Sequence, residues 1–182
     1  MIALTATKLD LVEKIHHGVD LFAFNATYES QIDFYGWNSD HVYLTETIER
    51  IRPNIVVEIG VWKGGSTLRI AKALQKLGKD SAIIAIDTFR GSPEHGCEPE
   101  LFKMINVQNG LPKIYQTFLA NVTVKGLQEF VVPLPVDSYS AYKILKRKGI
   151  KPGLVHIDRG HECQSVMQDL NNWSQLLSPK GA

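Results

Sequence analysis

Five residues between positions 58 and 66 have the types and spacing to do chemistry: Glu58, Gly60, Gly64, Gly65 and Ser66. They lie in the run Val56-Val57-Glu58-Ile59-Gly60-Val61-Trp62-Lys63-Gly64-Gly65-Ser66-Thr67, which reads as a buried strand, a glycine-rich turn and a helix start. A second acid, Asp87, closes the next apolar run, Ala82-Ile83-Ile84-Ala85-Ile86. Glycines let backbone approach a ligand, and a helix N-terminus offers unpaired N–H groups and a positive dipole end. An acid at the end of the second strand suits a ribose diol, whose hydroxyls can donate to a carboxylate. Together these features argue for a cofactor that contains a nucleoside.

Strands and helices must alternate to place those residues. The periodicity predicts strands over 54–59, 82–86, 129–133 and 154–157, with helices over 66–77, 113–122, 138–148 and 162–177 between and after them. This is the pattern of an α/β layered fold with a mainly parallel sheet. Ahead of the first strand, residues 7–17 read as a helix with Leu9, Val12 and Ile15 on one face. Residues 18–38 are aromatic and irregular. A helix from a cap at Asn38 or Ser39 to about Arg52 is stopped by Pro53. The expected division is an N-terminal helical and irregular cap over 1–38 and a cofactor domain over 39–182. The stretch 88–111 reads as a long loop, functional or mobile, in which Glu94 and His95 are candidates for a lid. The last helix is expected to bury Val166, Leu170, Trp173 and Leu177.

Composition excludes several classes. The net charge of +1 leaves no footprint for nucleic acid or an anionic membrane. No apolar run approaches the roughly 18 residues of a bilayer span, and no signal-peptide pattern is visible. Cys97 and Cys163 are far apart and form no C-x-x-C motif, so a reduced, cytoplasmic protein is the simplest reading. The adjacent His16 and His17 have no partner at metal-ligand spacing and read as exposed.

Four stretches, in order, resemble class I S-adenosylmethionine-dependent methyltransferases, in the branch of macrolide-sugar O-methyltransferases and cephalosporin-hydroxylase-type proteins. They are Val57–Thr67, then Ile86-Asp87-Thr88-Phe89-Arg90-Gly91-Ser92-Pro93-Glu94-His95, then Val132-Pro133-Leu134-Pro135-Val136-Asp137-Ser138, and His156-Ile157-Asp158-Arg159-Gly160-His161 continuing to Asp169 and Trp173. The resemblance implies a Rossmann-like three-layer sandwich and S-adenosylmethionine as cofactor. Glu58 and Gly60 would lie beside its methionine part, Gly64 and Ser66 would also bind the cofactor, and Asp87 would hold the ribose. Thr88 or Phe89 would border the adenine, and Asp137 and Ser138 would close over its edge. Asp158 would bind Mg²⁺ and His161 would act as general base. The implied reaction is O-methylation of a hydroxyl on a small molecule such as a sugar or natural product.

Bland readings stand beside these. Asp158 could cap the final helix, His161 could be an ordinary first-turn residue, and Asp169 reads as a solvated or packing-edge residue. Tyr35, Trp37 and His41 fit packing as well as substrate contact. Arg159 stands where the family usually has a small residue; it would narrow the pocket or bind an acidic substrate. A non-catalytic S-adenosylmethionine-binding protein is an alternative function. An NAD-dependent oxidoreductase fits less well, because the glycine spacing is not Gly-x-Gly-x-x-Gly. The chain ends at Ser178-Pro179-Lys180-Gly181-Ala182, where the family fold continues with three further strands, the first carrying an acidic pair of the metal site. The expected sheet is therefore truncated after the fourth strand and its following helix. Its strands run third-second-first-fourth, and its open edge is a route to a homo-oligomer. A genuine short variant that dimerises along that edge is the other reading.

Overall fold

The computed structural model describes residues 5–23, 32–36, 42–159, 163–179 and 181–182. In chain order these hold α1 (Ala6–His16), α2 (Val42–Ile51), β1 (Ile55–Ile59), α3 (Gly65–Leu77), β2 (Ala82–Ile86), α4 (Pro93–Cys97) and α5 (Pro99–Met104). The hairpin strands β3 (Val107–Gln108) and β4 (Leu111–Pro112) follow, then α6 (Ile114–Val124), β5 (Val131–Leu134), α7 (Ser138–Arg147), β6 (Leu154–Ile157) and α8 (Cys163–Ser174).

The main sheet is parallel, in the order β5-β2-β1-β6. This is the predicted strand order. Side chains alternate between the two faces of a strand, so neighbours along β1, β2 and β5 enter different cores. Val56, Ile83 and Val131 pack with Ile70, Leu74, Phe118 and Val122 under α3 and α6. Val57, Ile84 and Val132 pack with Leu145, Trp173 and Leu11 under α7, α8 and α1. The result is a three-layer, Rossmann-like α/β sandwich. Strands buried on both faces read as near-continuous apolar runs, which the sequence provides except at Glu58 in β1 and His156 in β6.

Several elements differ from the sequence expectation. The face of α1 that turns inward is Lys8, Leu11 and Val12, while Leu9 is 52% exposed. Buried Lys8 meets Asp20 and donates to the Gln128 carbonyl at 2.9 Å, an anchor that hydrophobic periodicity does not register. Leu11 and Val12 share a core with the sheet, so α1 packs against it. His16 is half-buried and its Nε2 lies 2.7 Å from the Pro133 carbonyl oxygen. The stretch 88–111 holds two short helices and a hairpin instead of a structureless loop. In α8 the inward residues include Asp169 and Trp173, while Leu170 is 50% exposed. Along the far side of β6, Val155 N–H donates to the Ala182 carbonyl and Ala182 N–H to that of Gly153. No helix among the described residues is long and apolar enough to cross a membrane.

Candidate functional site at the strand ends

Register places the key positions together. Ile59 pairs with Ile86 on one side and Ile157 on the other, so Gly60, Asp87 and Asp158 stand next to one another just beyond the sheet. A cavity of about 550 Å³ opens there. It lies at the carboxyl ends of the parallel strands, where α/β sheets bind ligands. Gly60, Ser66, Asp87, Thr88, Asp137, Ser138 and Asp158 all line it, joined by Trp62, His95 and Arg159.

Gly60 is required by packing. Its φ is +87°, and a Cβ there would come 2.1 Å from the Asp158 carbonyl oxygen. Gly64 has a φ of +91°, and its Cβ would meet the Phe118 ring at 2.8 Å. These two glycines thus bring the turn against β6 and α6; only Gly60 of the pair borders the cavity.

Asp87 holds the turn in place. Its Oδ2 accepts from the backbone N–H groups of Val61 and Trp62 at 2.8 and 2.9 Å, and its Oδ1 accepts from Phe89 N–H at 2.7 Å. A carboxylate has about four acceptor positions. Three are used here, which leaves one on Oδ1 for a ligand. Trp62 adopts a left-handed φ of 54° to make these bonds.

Glu58 sits behind this wall and is fully buried. Burial pushes its carboxyl up from 4.5 to about 7, against the opposing effect of the Ser66 and Thr67 hydroxyls; the negative charges of Asp158 and Asp87 add to the rise. Thr67 Oγ1 donates to Oε2, while Oε1 has no donor in good geometry among the described residues. Three carboxyl groups therefore converge at the ends of β1, β2 and β6.

The remaining expected residues divide. Phe89 is buried among Tyr115 and Phe118, away from the cavity lining. Thr88 is exposed at the cavity wall. Asp137 caps α7, accepting from Ser140 N–H at 2.9 Å and from Ser140 Oγ at 2.6 Å, which holds its carboxyl below the usual range. Ser138 is buried and donates to Asp169 Oδ1 at 2.5 Å while accepting from Trp173 Nε1 at 2.9 Å. Asp169 is thus a buried junction, contrary to the solvated reading. Its Oδ2 lies 2.8 Å from Arg159 Nε, a charge contact outside aligned hydrogen-bond geometry. That contact neutralises much of the charge Arg159 would offer an acidic substrate.

His161, Trp37, His41 and the cap positions Asn38 and Ser39 lie outside the described residues. Among the described residues, no three His, Cys, Asp or Glu side chains group so as to hold a metal ion. Sequence reasoning passed over Trp62 as a site residue. Its signal was a non-glycine in a turn that must go left-handed.

Comparison with known proteins adds the family. A family model described as a methyltransferase domain matches residues 57–182, more than half of the chain. No curated protein matches. Among solved structures, the O-methyltransferase TomG from Streptomyces achromogenes, involved in tomaymycin synthesis and bound to S-adenosylmethionine, aligns with a TM-score of 0.55 and 14% identity. The alignment covers 98% of this chain and 64% of that one. An O-methyltransferase from Bacillus cereus in complex with S-adenosylhomocysteine gives a TM-score of 0.54, again at 14% identity, with 98% and 64% coverage. The chain therefore spans about 64% of the length of these structures, and at such identity the likeness is one of fold. On the match over residues 57–182, the chain belongs to the methyltransferase-domain family.

Proposed function

We propose that this chain binds S-adenosylmethionine and serves the methylation of a hydroxyl oxygen on a small molecule such as a sugar or natural product. The observation that carries the reading is the convergence of Glu58, Asp87 and Asp158 at the strand ends, close enough that two of them raise the pKa of the third. A sulfonium cation gains from such a field, whereas the diphosphate of a dinucleotide would be repelled. The cavity of about 550 Å³ is within the range of small-molecule sites. The two O-methyltransferase structures, bound to S-adenosylmethionine and its demethylated product, point the same way.

When bound, the cofactor supplies an electrophilic methyl group on sulfur. The chain's own residues do the rest. Asp87 fixes the Gly60–Gly64 turn and keeps one acceptor position for a ribose hydroxyl. Ser66 and Trp62 form the wall beyond it. Asp158 stands at the end of β6 as an acceptor for the proton of the attacking hydroxyl, with His161, three residues on, as a second proposed base. Positioning two reactants in one cavity accounts for much of the rate in such a reaction.

Thermal unfolding with S-adenosylhomocysteine and, separately, with NAD tests the reading. A ligand that binds only the folded state raises its melting temperature by mass action. A rise with S-adenosylhomocysteine alone supports it. A cooperative transition that S-adenosylhomocysteine leaves in place while NAD raises it refutes it.

A further inference from the structure

A fully buried amide, Asn121, interrupts a stretch of α6 that otherwise buries Phe118, Leu119, Ala120 and Val122. Such a group is costly in a core unless its polar atoms are bonded. Asn121 finds its partners outside its own helix. Its Oδ1 accepts from Asp33 N–H at 3.1 Å, and its Nδ2 donates to the carbonyls of Asp33 at 2.6 Å and Lys63 at 2.8 Å. Three of the four hydrogen-bonding positions of the amide are therefore used. Exchanging its oxygen and nitrogen would set the oxygen against two carbonyls, so the partners fix the orientation. Residues 32–36 have no regular secondary structure of their own. Asn121 holds their backbone to α6 and, through Lys63, to the turn after β1.

Side chains add to this hold. Lys63 is 5% exposed, and its Nζ donates to Asp33 Oδ2 at 2.6 Å. Asp33 Oδ1 accepts from Tyr35 N–H at 2.9 Å, and the Tyr35 carbonyl accepts from Trp62 Nε1 at 3.1 Å. Lys63 Nζ also lies 5.0 Å from the centre of the Trp62 ring. Residues 33–35 thus grip the side chains of both Trp62 and Lys63, while Asp87 accepts the Trp62 backbone N–H. Trp62 stands at a φ of 54°, a conformation that a bulky residue keeps where its surroundings impose it. Trp62 lines the cavity; Lys63, Asn121 and residues 32–36 lie outside its lining.

Building on the cofactor reading above, we propose that residues 32–36 act as a strap that positions Trp62 in the wall of the cofactor cavity, docked there by the positioning residues Asn121 and Lys63. Both act through Trp62 rather than on the cofactor. A docked strap orders the Trp62 side chain before a ligand arrives, which removes that ordering cost from binding. The coupling is reciprocal: a cofactor that binds better to the docked form holds the strap down by the same factor. A leucine at 121 would suit the core beneath α6. The amide serves instead the two segments it joins, which lie 88 and 58 residues away along the chain.

The experiment is a calorimetric titration of S-adenosylhomocysteine into wild type, Asn121→Leu and Lys63→Met. Lys8→Met, which breaks the anchor of α1 to Asp20 and Gln128, is the comparison for a purely structural loss. Asn121→Leu should bind about fivefold more weakly or worse, the low end of ordinary coupling between sites. Lys63→Met should weaken binding less, in the same direction. Lys8→Met should lower the melting temperature and leave the affinity of the folded protein as in wild type. Hydrogen exchange at the Asp33 and Tyr35 amides of wild type should slow on saturation with S-adenosylhomocysteine, by about the factor that Asn121→Leu loses. If Asn121→Leu does not fold, Lys63→Met and the wild-type exchange carry the test. Unchanged affinity in whichever of the two strap variants fold, equal weakening in Lys8→Met, or strap amides that exchange alike with and without ligand would each overturn the proposal. Failure of wild type to bind S-adenosylhomocysteine would overturn the cofactor reading itself, and it is distinguishable because it precedes any substitution.

Discussion

Replacing Glu58 by Gln tests whether a buried acid at the end of β1 is held near neutrality by its surroundings. Its pKa rises from 4.5 to about 7 on folding, chiefly through burial. A carboxyl whose folded-state pKa is raised favours the fold most when protonated. Its contribution is complete below 4.5 and is lost as the pH climbs through about 7. At 1.36 kcal/mol for each pH unit between the two values, wild type should lose about 3 kcal/mol relative to Glu58→Gln between pH 4.5 and pH 8. Gln is neutral throughout and can still accept from Thr67, so the variant isolates the charge. Urea unfolding of both proteins at half-unit pH steps reads the difference directly. Groups such as His16 and His156 titrate in both proteins and cancel in the comparison. A wild-type-minus-variant difference that stays flat across this range would refute the reasoning, because Glu58 would then be ionised in the folded state at no cost. Loss of stability toward acid in that difference would refute it more strongly, since the sign would be reversed. A positively charged ligand should work against this effect. S-adenosylmethionine should therefore bind wild type more tightly as the pH rises from 6 to 8, with Glu58→Gln indifferent to pH.

Gly60→Ala should destabilise the fold by at least about 2 kcal/mol in urea unfolding, from left-handed strain and from collision with the Asp158 carbonyl. Gly78→Ala, where a Cβ meets nothing within 4 Å but φ is +57°, should cost about 1 kcal/mol. Asp87→Asn exchanges a carboxylate holding three backbone N–H groups for an amide with one acceptor oxygen; calorimetry should show S-adenosylhomocysteine bound at least about tenfold more weakly. Asp169→Ala strands the Ser138 hydroxyl and removes the partner of Arg159, whose side chain is 36% exposed. Water reaching Arg159 limits the loss to about 2 kcal/mol, read as a lower melting temperature.

The apolar runs Val56–Val57, Ile83–Ile84 and Val131–Val132 made the parallel sheet legible, because strands covered on both faces are mostly apolar. Glycines at 60 and 64 with acids at 58 and 87 marked the strand ends, and the register does bring Gly60, Asp87 and Asp158 side by side. What those residues do there was less legible. Spacing suggested that the glycines make room for a ligand, yet their missing Cβ atoms make room for Asp158 and Phe118. Asp87 read as a ribose ligand, yet three of its acceptor positions serve its own backbone. Only neighbours far along the chain decide such things.

The strand order was what the family resemblance implied; the amino-acid sequence by itself determined the alternation of strands and helices and the end of the sheet at which chemistry gathers. Those are consequences of periodicity and local backbone preference, which act over a few residues at a time. Tertiary structure alone decided which polar side chains are spent internally and which remain for a ligand. Asp169 looked solvated until α8 turned it onto Ser138, and Lys8 broke an apolar face that Asp20 and Gln128 repair. His95 lay in a stretch without regular pattern until Trp62 and Ser92 fixed its ring. Burial sets the energy of a polar atom, and burial is a property of the assembled layers rather than of any segment within them.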